Sequence, residues 1–140
     1  MSILESIRNK FSNINISEEN GKIFADNNIK DILSYIKAEL GFDMLLSLYA
    51  TDYRDFIELN YYLYSSIKQE YLSITTHVNG NTDSVVDIFK SAYFDECEIY
   101  DLFGVNFTGN NNLKRLLMPA DWQGHPLLKS YEYEKEAVYE

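Results

Sequence analysis

The chain has 140 residues, 46% apolar and 24% charged, the size and balance of one globular domain whose core needs no covalent staples. Its 22 Asp and Glu against 12 Lys and Arg leave a net charge of −10, which argues against nucleic acid or an anionic membrane surface as partner, because both are held through basic patches. The single cysteine, Cys97, excludes an intramolecular disulfide and fits a reducing compartment, and no apolar run has the length of a signal peptide or a membrane span, so a cytoplasmic chain without direct membrane insertion is expected.

In chain order, Ile3, Leu4, Ile7 and Phe11 recur at helical spacing and predict a short first helix. Residues 13–17 alternate like a strand, Asn20-Gly21 is a turn dipeptide, and Lys22–Ala25 is the expected return arm of a hairpin. Ile29, Ile32, Leu33, Ile36 and Leu40 then form one apolar stripe, with Asn28 and Asp31 suited to a helix start and Gly41 to its end. The period changes to two over three segments, 44–50, 56–65 and 71–78, and their short connections predict an antiparallel meander. From Asp83 the pattern reads as helical up to Gly104, with Val85, Ile88, Phe89, Ala92, Ile99 and Phe103 on one face. Beyond Phe107 periodicity fades; a single turn is expected at Leu113–Leu117 and an extended Met118–Tyr131 follows, with few ways to bury itself. The expected architecture is α+β, a mainly antiparallel sheet with helices packed on one face. Residues 1–110 form the core and residues 111–140 an extended tail of the same domain.

The candidate constellations are sparse. Asp95, Glu96, Glu98 and Asp101 could serve acid/base or hard-metal chemistry, but Glu98 and Asp101 share a helix face while Asp95 and Glu96 point apart. Structural or interface pairing with Lys or Arg is the expected role. Cys97, His77 and His125 are scattered over too long a stretch to predict a zinc site. The chain has no glycine-rich phosphate loop, no C-x-x-C and no nucleophile elbow, so no catalytic, cofactor-binding or metal residue is assigned. Glu96 stands out because it falls on the apolar stripe, where a carboxylate needs a partner. Lys114 and Arg115 are the expected partners, which would pin the tail to the helix. The Met118–Tyr131 segment is expected to be more mobile than the sheet in the isolated chain and to become ordered in a complex.

Residues 95–131 read together are more specific. Glu96-Cys97-Glu98-Ile99-Tyr100-Asp101-Leu102-Phe103-Gly104-Val105 resembles the Glu-Arg-Glu-x-x-Asp-Leu-Phe-Gly-Ile signature of the 30-kilodalton subunit family of respiratory complex I, known in bacteria as the C subunit of NADH–quinone oxidoreductase. Phe107, Gly109, Leu113-Lys114-Arg115-Leu116-Leu117, Pro119, Asp121-Trp122, Gly124-His125-Pro126-Leu127, Lys129 and Tyr131 keep step with the family's second block. Cys97 replaces the family's central Arg, Asn110-Asn111 its His-Pro, and Lys114 the first of its Arg pair, while Leu128 and Ser130 replace Arg and Asp. The pattern is also similar to the small subunit of energy-converting membrane-bound [NiFe] hydrogenases.

The resemblance implies a subunit that carries no redox centre and docks on the large subunit of the peripheral arm, which shapes the quinone or [NiFe] site, near iron–sulfur subunits. It places the signature on Glu96, Glu98, Asp101, Phe103, Gly104, Lys114, Arg115, Pro119, Trp122, Gly124, His125, Pro126 and Lys129. The alternatives from the residues alone are a free-standing interaction module or a small acid/base enzyme using Glu96.

Overall fold

A computed structural model describes residues 2–132. Helix α1 (Ile3–Lys10) is capped by the Ser2 hydroxyl, which accepts the Glu5 amide, and its Ile7 is fully buried. A hairpin follows, β1 (Ile16–Glu19) and β2 (Lys22–Ala25), around Asn20 and Gly21, both at positive φ as a two-residue hairpin turn demands. The first strand lies three residues later than the alternation of 13–17 predicts, because Asn20-Gly21 sets the register and pairs Ile16 with Ala25. Helix α2 (Ile29–Leu40) ends at Gly41 as expected. Asn28 stands at its N-cap but supplies no side-chain cap.

Three nine-residue strands make the meander: β3 (Met44–Asp52), β4 (Ile57–Ser65) and β5 (Glu70–Val78), antiparallel throughout. The five strands order β1-β2-β5-β4-β3, and β2 joins β5 in parallel, so the sheet is mixed. On β4 and β5 the residues of one parity, including Leu59, Tyr61, Leu63, Leu72 and Ile74, face the helices and share one apolar cluster with Ile7, Ile32, Leu33 and Ile36. The fold is therefore α+β with its helices on one face. The other parity leaves Tyr49, Tyr62 and Tyr71 exposed.

The long helix expected from Asp83 is shorter. Asn81–Asp83 form a strand, β6, that pairs in parallel with β7 (Asn106–Thr108), and residues 84–91 are turns. Helix α3 spans only Ala92–Phe103. The apolar spacing of 85–89 reflects burial of Val85 and Phe89 in a turn whose carbonyls and amides bond locally, Phe89 N–H donating to the Val85 carbonyl at 2.8 Å. Periodicity reports which side is buried and not which hydrogen bonds close. Leu113–Leu117 forms no helical turn either, because the amides of Leu116 and Leu117 are bonded elsewhere. Residues 133–140 of the expected tail lie outside the described residues.

Candidate functional site

Helix α3 and the chain that returns over it carry most of the polar groups singled out by sequence. Glu96 lies on the inner face of α3 with no solvent exposure. Its partners are not Lys114 or Arg115. Oε1 accepts the Ser84 hydroxyl at 2.6 Å and the Asn110 side-chain amide at 3.0 Å, and Oε2 accepts the Val85 amide at 2.8 Å. Burial pushes the Glu96 carboxyl above the usual carboxylate range, and these three donors oppose the shift. Glu96 thus fastens the 84–85 turn and the start of the return segment to α3. The donors are neutral, two from the 84–85 turn and one, Asn110, from the return segment. The residue standing where the family carries His is itself one of the donors, Asn110.

Asp101 does what the sequence assigned to Glu96. Further along α3 and fully buried, its Oδ2 accepts three successive backbone amides, Leu116 at 3.1 Å, Leu117 at 2.7 Å and Met118 at 2.9 Å. Successive amides converging on one oxygen make an anion nest, here occupied by the chain's own carboxylate. Its other oxygen faces Arg115, with Nε at 3.6 Å and only 11% of that side chain exposed. Arg115 also donates to the Gly124 carbonyl at 2.6 Å, which ties the two ends of the loop together.

His125 completes the fastening. Its Nδ1 lies 2.9 Å from the Asp101 carbonyl, so that nitrogen must carry the proton and donate; the Arg115 Nη2 at 3.2 Å is then a neighbour and not a second bond. The ring sits on Gly104, the C-cap of α3 at φ 76°, where a Cβ would meet the ring Cδ2 at 2.7 Å. Glycine is required there twice, for the left-handed backbone and for the close approach. Leu127 N–H donates to the Leu102 carbonyl at 2.9 Å, and Lys129 N–H donates to Asp52 Oδ2 at 2.8 Å, on the last residue of β3. That bond, more than any other cause, holds the Asp52 carboxyl below the usual range.

The remaining signature residues are outward or partly covered. Glu98, Lys114, Pro119, Trp122, Gly124 and Lys129 are exposed, and Phe103 and Pro126 half-buried. Cys97 is buried on α3 with Sγ toward the Asn112 carbonyl, which also accepts the Tyr93 hydroxyl. Asp95 accepts the Leu48 amide on the edge strand β3 at 3.0 Å. His77 stacks on Phe56 across the sheet's open face, remote in sequence and element from Cys97 and His125. Among the described residues no three His, Cys, Asp or Glu are placed to hold a metal, and no helix is long and apolar enough to cross a membrane. Ser84, Asn110 and Asp52 were missed by sequence reasoning. Asn110 carried a signal as a departure from the family pattern, and Ser84 as part of the Asp83-Ser84-Val85 turn that resembles the family, but neither marked a partner for Glu96.

Such a site holds backbone: its acids are occupied chiefly by amides of the same chain, within a small α+β domain. The chain belongs to the respiratory-chain NADH dehydrogenase 30 Kd subunit family, whose model matches residues 23–137. It is 36% identical to the C subunit of NADH-quinone oxidoreductase from Rickettsia prowazekii over 71% of this chain, and spans only 56% of that relative's length. With the corresponding subunit of Trichlorobacter lovleyi it shares 33% identity over 91% of this chain and 86% of the relative. In fold it is similar to a chain in the structure of the membrane-bound sulfane sulfur reductase, an archaeal respiratory membrane complex, with a TM-score of 0.71 over 85% of this chain and 76% of that one, at 23% identity.

Proposed function

We propose that the chain is a non-catalytic structural subunit of the peripheral arm of a complex I-like NADH–quinone oxidoreductase. There it docks on the large subunit beside the iron–sulfur subunits, at the cytoplasmic face of the membrane. One observation carries the reading. The segment fastened by Asp101, Arg115 and His125 turns Leu117, Trp122 and Leu127 outward, 63%, 41% and 51% exposed, on a chain of net charge −10. Large apolar side chains held outward on one fastened segment are the groups a protein interface would cover, and Trp is among the residues that dominate such interfaces. Glu96 is engaged by three donors, which supports a structural role over acid/base work.

The test is co-expression with the large subunit of the same respiratory complex, followed by gel filtration. The wild-type chain should co-elute with it. A Leu117→Glu/Trp122→Ala double variant should elute alone while keeping the wild-type far-UV spectrum and melting temperature. Co-elution of the variant at the wild-type level would overturn the reading. So would a wild-type chain that never joins the large subunit. Co-elution with a hydrogenase-type large subunit in its place would assign the chain to that assembly.

A further inference from the structure

Two carboxylates on two different elements grip the same stretch of chain. Asp101, on α3, holds the amides of Leu116, Leu117 and Met118; Asp52, at the end of β3, holds the amide of Lys129. Both acids are buried, Asp101 with no exposure and Asp52 with 7%. Between the two grips, His125 lies on Gly104 and Leu127 pairs with the backbone of α3 at Leu102. The segment 116–129 is thus anchored at its start, near its far end and between, wholly by groups of this chain.

We propose that residues 116–129 form a strap that is latched closed on the free subunit by these two carboxylate clamps, so that its apolar side chains are presented preformed before any partner arrives. The clamps do not depend on the docking reading; what the strap presents those side chains to does rest on it. Hydrogen bonds to an ionised acceptor are about twice as strong as neutral ones, and three converge on a single Asp101 oxygen. The cation beside Asp101 comes from the strap's own approach, Arg115, so opening the strap separates the ion pair as well as the amides. Among the described residues the titratable or charged groups beside the two acids are Arg115 at the Asp101 carboxylate, His125 at the Asp101 backbone carbonyl, and Lys129 and Arg54 at Asp52. A strap ordered in advance spares the ordering cost that a tail folding onto its partner must meet at the moment of binding. The latch runs against the expectation that Met118–Tyr131 is more mobile than the sheet until it joins a complex, and amide exchange decides between the two.

Amide hydrogen exchange on the purified free chain tests the latch. The amides of Leu116, Leu117, Met118 and Lys129 should exchange at least 100-fold more slowly than unstructured amides. Asp101→Asn should speed Leu116–Met118 by tenfold or more and leave the β5 amides of Leu72–Thr76 unchanged; Asp52→Asn should do the same at Lys129. Exchange of 116–118 at unstructured rates in the wild-type chain, with β5 still protected, would overturn the proposal. Wild-type exchange in a folded Asp101→Asn variant would do so too. If Asp101→Asn fails to fold, the wild-type profile and Asp52→Asn still decide. None of these measurements involves a partner, so failure of the latch and failure of docking are separate results.

Discussion

Glu96 offers the sharpest test of how this domain holds itself together. Replacing it with Gln keeps the shape but changes the donor and acceptor count. The amide oxygen can keep Ser84 and Asn110, whereas the amide nitrogen must then face the Val85 N–H, a donor against a donor. An orphaned buried donor costs about 1–3 kcal/mol. Removing a charge held with no solvent exposure offsets part of that. Glu96→Gln should therefore destabilise the domain by about 2 kcal/mol at neutral pH, and Glu96→Ala, which also leaves a cavity, by about 3–5 kcal/mol. Asn110→Ala, which removes one half-buried donor, should cost about 1 kcal/mol. Urea unfolding followed by far-UV dichroism measures all three, with unchanged denaturant slopes as the check on two-state behaviour.

The pH dependence tests the same residue a second way. Because burial holds the Glu96 carboxyl above its ordinary value in the fold, its contribution to stability is complete below that ordinary value and is lost as pH rises through the folded value. Gln has no such dependence, so the lead of wild type over Glu96→Gln should narrow as pH rises above the ordinary carboxylate range. A Glu96→Ala variant within about 0.5 kcal/mol of wild type, the range of ordinary surface changes, would mean that the three bonds hold nothing together. A lead that widens with pH would show that the donors outweigh burial.

Two further outcomes follow from the clamps. Gly104→Ala should destabilise by about 2–3 kcal/mol, combining the left-handed backbone penalty with displacement of His125; adding His125→Ala should relieve the steric part alone, so a double-mutant cycle will be non-additive. Asp52, held below its ordinary value chiefly by the Lys129 amide, contributes stability above that ordinary value and loses it as pH falls through the folded value, so acid unfolding of Asp52→Asn should show a flatter pH dependence below about 4 than wild type.

How much of this was legible beforehand divides along a physical line. Local rules found the Asn20-Gly21 hairpin, the α2 stripe with its Gly41 stop and the three-strand meander, because turn chemistry and side-chain period are properties of neighbouring residues. They also flagged Glu96 as a buried carboxylate, since its place on an apolar stripe is visible in one dimension. Composition set the acidic balance, and the 95–131 pattern pointed to the family.

What sequence could not choose was the partner of each acid. Lys114 and Arg115, the basic pair of the returning tail, were the cations assigned to Glu96, but among the described residues the buried carboxylates are satisfied mainly by neutral amides, which every residue but proline carries and no sequence pattern marks. Asp52 and Lys129 stand 77 positions apart and meet only because the strap crosses the end of β3. The parallel β2–β5 and β6–β7 pairings were hidden for the same reason: each joins strands separated by intervening chain, and period two says which face is buried without saying which neighbour lies alongside. Residues 83–91 show the limit most directly. An apolar spacing that a helix would satisfy is satisfied instead by a strand and turns, once the Ser84 hydroxyl and Val85 amide are captured by Glu96 from α3, and only the assembled fold brings that carboxylate within 2.6–2.8 Å of them.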